Sequence, residues 1–253
     1  MTVFGSPDED TCRGGAKRTF SAWGFPMRGG MMRAILVGLA AITAAALPSG
    51  AWAQATIRQC GAIEEPGPAC LLARKQFASL PAGKIFWHLD RFPSTDAAAQ
   101  AGTASSVVVE AFGSTWLFTL AKAGWRAKGG EHVSIVGPLP VTPASTYAAE
   151  YLRSIFDPGM TAPLHVHSGP EAFFAVAGDT CLETPDGVRI GRGPGNHLMI
   201  EAGPPMLLMA IGAVPRQGFA LILHDASQPP TTLTQTWHPE GLCARQLSLD
   251  RAH

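Results

Sequence analysis

Beyond about residue 84, apolar and β-branched residues come in short runs: 85–89, 106–112, 116–120, 133–136, 146–156, 172–177, 188–190, 197–201, 205–211 and 219–224. Gly, Pro, Asp and Asn separate them, which is the punctuation of strands joined by turns. Apolar positions at helical spacing are scarce. Residues 70–79 are the best short helix candidate, and 54–81 otherwise read as Pro/Gly/Cys-rich chain wrapped over the surface. Many short strands at even spacing predict an all-β barrel or sandwich. The runs within 84–142 show no internal repeat and fit extra strands packed on the main barrel.

One apolar run is of a different kind. Met31-Met32-Arg33 precedes an uninterrupted apolar stretch over 34–47, then Pro48-Ser49-Gly50 and Ala51-Trp52-Ala53. This is the basic, apolar and small-residue order of a secretory signal, with cleavage expected after Ala53. The stretch is shorter than the roughly 20 residues a membrane-crossing helix needs, so no span is expected after cleavage. The expected organisation is a removed extension and signal peptide over 1–53, an N-terminal wrap with extra strands over 54–144, a barrel over 145–226 and a tail over 227–253. The expected location is periplasmic or extracellular.

Composition adds exclusions. Basic and acidic residues balance at 19 each, which gives no electrostatic footprint for nucleic acid or an anionic membrane surface. Removal of 1–53 leaves four cysteines, Cys60, Cys70, Cys181 and Cys243. An even count in an oxidising compartment suggests two disulfides. Three connectivities are open and the sequence cannot choose among them; the preferred one closes a local Cys60–Cys70 loop and ties the tail to the barrel through Cys181–Cys243. No CxxC spacing points to a zinc ribbon or a redox pair, and no GxSxG to a serine nucleophile.

The chemistry-bearing stretch runs from Gly159 through His165, His167 and Glu171 to Gly178. On a strand, residues two apart share a face, so both imidazoles point the same way. Glu171 follows Ser168-Gly169-Pro170, a turn that can return a carboxylate towards them. Two imidazoles and a carboxylate suit a borderline divalent ion: Fe, Mn, Zn or Ni. An HxH pair alone carries little weight in a chain with eight histidines. With both glycines and the glutamate at their spacings, chance drops to on the order of one in ten thousand.

These five residues match the first motif of the cupins, G-x5-HxH-x3-E-x6-G, at every defined position. The chain therefore resembles the cupin superfamily, and within it uncharacterised secreted bacterial proteins with a single cupin domain. The resemblance implies a double-stranded β-helix, or jelly-roll, barrel over about 145–226, with the metal held inside by His165, His167 and Glu171. It also implies a small-molecule ligand or substrate, and a homodimer as one assembly the family uses. The second motif is kept only in outline: Gly195 and Gly203 hold its glycine places, but Glu201, Met206 and Ala210 stand where Pro, the third His ligand and Asn are usual.

That departure leaves three readings. The set can act as a facial-triad-like site with open positions; Met206 can add a thioether in a fourth position, favouring copper; or the cavity can bind a small molecule with weak metal or none. Around the site, Phe173 shares parity with Glu171, and His224 ends an apolar strand. Either Glu150 or the pair Tyr151 and Arg153 faces the cavity, according to strand parity. The function expected is an exported metal-binding cupin, an enzyme on a small polar molecule or, alternatively, a non-catalytic binding module of the cell envelope.

Overall fold

The computed structural model describes residues 57–252; the segment expected to be a signal peptide lies outside them. The first elements are β1 (Gly67–Phe77), β2 (Phe86–Phe92), α1 (Thr95–Ala101), β3 (Ser106–Ala111), β4 (Ser114–Ala121) and β5 (Glu131–Val136). The next eight strands are β6 (Tyr147–Phe156), β7 (His165–His167), β8 (Glu171–Ala177), β9 (Asp179–Thr184), β10 (Gly187–Gly191), β11 (His197–Ile200), β12 (Leu207–Ile211) and β13 (Arg216–Asp225). β14 (Thr231–Leu233) and α2 (Leu242–Arg251) complete the order.

The strands β6–β13 build two sheets. One runs β1-β6-β13-β8-β11; the other is β10-β9-β12, extended by the Thr161–Met209 and His165–Met206 bridges to β7 and its partner β14. Four of the eight strands thus fall in each sheet, in the antiparallel order of a jelly roll. The fold is an all-β jelly-roll barrel. A third, four-stranded sheet, β3-β4-β2-β5, packs on the outer face of the first.

Strand parity separates two cores, because successive side chains leave a sheet on opposite faces. On β6, Leu152 and Phe156 point into the barrel, whereas Ala149 and Tyr151 meet the four-stranded sheet. β13 repeats the division, with Ala220 and Ile222 inside and Phe219, Leu221 and Leu223 outside. The outer core is aromatic: Phe118 stacks on Tyr151 at 5.5 Å and meets Phe219 edge-on at 5.0 Å, geometries favoured by the ring quadrupole. Central strands covered on both faces lose the alternation of apolar and polar positions. The run 146–156 therefore reads as a strand without showing which residues face which core.

The helix expected over 70–79 is absent. Residues 67–77 form β1, antiparallel to β6 from Gly67–Ile155 to Phe77–Tyr147. The ladder satisfies backbone groups that a short helix would leave open at both ends, and tertiary pairing overrides weak local propensity. Much of the segment expected to wrap the surface is thus sheet. Both disulfides take the preferred pairing, Cys60–Cys70 and Cys181–Cys243. The second fastens α2 to β9. Glu183 on β9 accepts a hydrogen bond from the Cys243 N–H at 3.0 Å, which replaces the side-chain cap that Gly241 cannot supply.

Candidate metal centre

His165 and His167 lie on β7 and Glu171 opens β8, so all three project into the barrel and all are buried. Ser168-Gly169-Pro170 makes the turn between them. Gly169 is required by proximity: a Cβ there would lie 2.0 Å from the Leu223 carbonyl oxygen and 2.7 Å from the His224 Cα. Gly178, at φ 73°, closes the motif on the far side of β8, where a side chain would meet the Pro215 carbonyl and the Arg216 backbone. Both glycines let strands approach at the distance the site needs.

The outer ring nitrogens are committed to carbonyls. His165 Nδ1 lies 2.6 Å from the Pro163 oxygen and His167 Nδ1 lies 3.0 Å from that of Pro230. A carbonyl only accepts, so each Nδ1 carries the hydrogen, and the Nε2 atoms face inwards. They stand 2.8 Å apart, and Glu171 Oε2 is 2.8 Å from His167 Nε2. That last approach is close but lacks hydrogen-bond direction, so Glu171 Oε2 is a buried oxygen without a hydrogen bond. Burial, and then the neighbouring His167, hold the His165 imidazole below its ordinary pKa. Burial opposes charge on His167 as well, but the Glu171 carboxylate, helped by the Pro230 carbonyl and the charge of Glu150, raises it.

The donors of the three residues lie within 4.8 Å of one another, and no other trio of His, Cys, Asp or Glu does so among the described residues. One shared proton answers only one contact at a time. A cation at the common centre would answer all three, so the donor set fits a divalent ion.

A cavity of about 350 Å³ adjoins the three residues. Phe173, Leu152, Phe156, Met206, Leu208 and Ile222 are among the apolar residues of its wall. Beyond His165, His167 and Glu171, the polar lining is Arg58, Ser154 and Thr231. Both hydroxyls are engaged: Ser154 accepts from Arg216 Nη1 at 3.0 Å, and Thr231 Oγ1 lies 3.2 Å from His167 Nδ1. This wall departs from the expectation of a small polar substrate.

The other expected pocket residues divide by parity. Phe173 lines the cavity and Met206 lies in its wall, its N–H donating to the His165 carbonyl at 3.0 Å. Glu150 faces the barrel with Leu152 and Ser154. It is buried beside Arg74 Nη2 at 2.5 Å, and His224 Nε2 stands 4.0 Å away. Neither Glu150 nor His224 lines the cavity. Tyr151 and Arg153 point to the opposite face, which corrects their place as pocket residues. Tyr151 belongs to the aromatic outer core, and Arg153 donates to Glu64 at 2.7 Å and to the Gly61 and Ile63 carbonyls, fastening the N-terminal loop.

The sequence reading overlooked Arg216. It is fully buried between the sheets, donating from Nε to Thr180 Oγ1 at 2.8 Å and from Nη1 to Ser154, with Nη2 unpaired. Burial pushes its pKa down to about 10, opposed by the charge of Glu171, and the guanidinium stays charged at neutral pH. No carboxylate among the described residues lies in ion-pair contact with it. Only an isolated basic residue at a strand start marks it in the sequence.

No protein-family model matches the chain, and no curated protein matches it. Solved structures do. A cupin-like protein from Thermotoga maritima is 14% identical, with 39% of this chain matched to 72% of that one at a TM-score of 0.34. DMSP lyase DddQ from Ruegeria pomeroyi is 23% identical, covering 37% of this chain and 45% of its own at a TM-score of 0.30. A cupin superfamily protein from Desulfitobacterium hafniense is 14% identical over 30% of this chain and 68% of its own, with a TM-score of 0.28. The match thus spans less than half of the lyase.

Proposed function

We propose that this protein is an exported, metal-dependent cupin that holds one divalent ion through His165, His167 and Glu171 and admits a small molecule to the adjoining cavity. The observation that carries the reading is the buried Glu171 Oε2, without a hydrogen bond, beside two inward-facing Nε2 atoms. Such atoms are costly to bury unless something electropositive lies between them. The Pro163 and Pro230 carbonyls fix the ring orientation, and the β7–β8 turn fixes the carboxylate. When bound, the ion would act as a Lewis acid or a centre for oxygen.

Around it, the chain's own groups bind and exclude. The apolar wall keeps bulk water from the reacting end, beside the three residues that would hold the ion. Two disulfides accord with the oxidising compartment that the signal segment specifies. Fe, Mn, Zn and Ni suit the donor set; copper would draw on the Met206 thioether. A non-catalytic binding module is the second reading, favoured by the scarcity of free polar groups in the cavity.

Metal analysis of protein purified from the periplasm tests the proposal. Wild type should carry close to one divalent ion per chain, and the His165→Ala/His167→Ala variant should carry almost none. Equal metal content in the two sinks it.

A further inference from the structure

The shape and lining of the cavity extend the functional reading to a ligand class, and this step rests on the metal site proposed above. We propose that the cavity takes a small monocarboxylate with a hydrocarbon or aryl body, its carboxylate directed at the metal centre and its body against the wall formed by Leu152, Phe156, Phe173, Leu208 and Ile222.

Three observations carry this. The first is size. A volume of about 350 Å³ holds about a dozen methylene- or water-sized groups at roughly 30 Å³ each, enough for a chain of six to eight carbons with its carboxylate. The second is polarity. Away from the metal ligands, Ser154 already accepts from Arg216 and Thr231 sits against His167. Apart from the exposed Arg58, a second carboxylate or a row of hydroxyls would therefore face carbon. Each polar group buried without a partner costs about 1–3 kcal/mol, so a polyol or a dicarboxylate is disfavoured by an order of magnitude or more.

The third is charge. Arg216 is buried and ionised with no carboxylate in contact, while Glu150 is already answered by Arg74. A divalent ion on two neutral imidazoles and one carboxylate leaves the interior net positive. Arg58 adds a further positive charge to the cavity lining at an exposed position. One anionic head relieves that excess, because buried charge is tolerated only when paired. A neutral alcohol of the same length fills the wall and leaves the charge unanswered.

Calorimetric titration of the Zn(II)-loaded protein with octanoate, malate and 1-octanol separates the alternatives. Octanoate is expected to bind at least tenfold more tightly than either of the others, and to lose at least tenfold when chelation strips the metal. Ala220 lies in the cavity wall and is not a ligand. Ala220→Phe should weaken octanoate at least tenfold while zinc content stays that of wild type. The comparison of ligands on wild type stands whether or not that variant folds. Malate or octanol binding as tightly as octanoate overturns the proposal, and so does octanoate binding that ignores the metal. Zinc retained with malate preferred defeats the ligand class alone; a wild type that takes up no zinc defeats the metal reading and this one with it.

Discussion

Two clusters in this molecule draw on the same residue types and come to different ends. In the barrel, His165, His167 and Glu171 turn their ligand atoms onto one point beside a cavity. In the four-stranded sheet, His88, Asp90 and His132 are also close, with His88 and Asp90 fully buried. There, His132 Nδ1 bonds Asp90 Oδ1 at 2.9 Å, and His88 Nε2 meets the Lys122 carbonyl at 3.0 Å. The His88 ring also packs edge-on against Trp125 at 5.2 Å. Each imidazole of the sheet spends an accessible nitrogen on a partner of its own. The barrel pair spends only its Nδ1 atoms on the backbone, leaving both Nε2 atoms for a shared guest. Both clusters combine two imidazoles with one carboxylate, but His132 reaches the surface whereas all three barrel residues are buried, and only the barrel imidazoles aim their free lone pairs at one point.

The largest test of that contrast is metal content. His88→Ala/His132→Ala should keep the full complement of ion in a folded protein, whereas His165→Ala/His167→Ala should lose it. Uptake unchanged in the second, or abolished in the first with the fold intact, would erase the distinction drawn here.

Next in size is the covalent anchoring, which belongs to one region only: residues 86–136 contain no cysteine. Cys181–Cys243 closes a separation of 62 residues, and chain-entropy reasoning assigns such a loop about 4 kcal/mol. Chemical denaturation of Cys181→Ser/Cys243→Ser should show a loss of that order, with α2 released first in hydrogen exchange. Unchanged protection of 242–251 would show that Glu183 and packing hold the helix unaided.

A smaller loss, about 3 kcal/mol, is expected for Gly169→Ala, because the obstructing atoms are backbone and yield at a cost typical of overpacking. The substitution should also weaken metal affinity, since the turn sets Glu171 relative to His167. Gly113, whose added Cβ meets nothing within 4 Å but sits at φ 66°, is the outer-sheet control: Gly113→Asn should alter stability slightly and metal not at all.

The smallest effect is a pH slope. Burial lowers the His88 pKa from its ordinary 6.5, with His132 and Arg126 adding to the shift and the Lys122 carbonyl and Asp90 opposing it. Below pH 6.5 the unfolded chain therefore takes up a proton that the folded His88 refuses. Its contribution to stability is present above 6.5 and is lost as the pH falls towards the depressed folded value. One such group gives a slope of at most about 1.4 kcal/mol per pH unit. Melting of wild type and His88→Gln at pH 7.0 and 5.5 should show the steeper decline in wild type; parallel curves would contradict the assignment.

Much of this was legible along the chain. Short apolar runs parted by Gly and Pro specified an all-β protein, because strands need few residues and turns need those residue types. The HxH-x3-E spacing placed three donors on a strand and the turn after it. What resisted reading has a common cause. β6 and β13 are buried on both faces, so period-two alternation vanished and Glu150 could not be told from Tyr151 until the four-stranded sheet was seen to cover one face. Residues 70–79 looked helical because only β6, about 80 residues away, makes them a strand. Arg216 left no pattern at all, since its partners Thr180 and Ser154 come from different sheets.

The sequence by itself determined the fold class, the identity of the three inward-facing donors and the set of cysteines available to pair. Only the tertiary structure decided which parity faces the cavity, that its wall is apolar and that a lone guanidinium lies beneath it. Local spacing fixes the side of a strand a residue occupies. Packing against strands remote in the chain decides what that side touches, and therefore what it can hold.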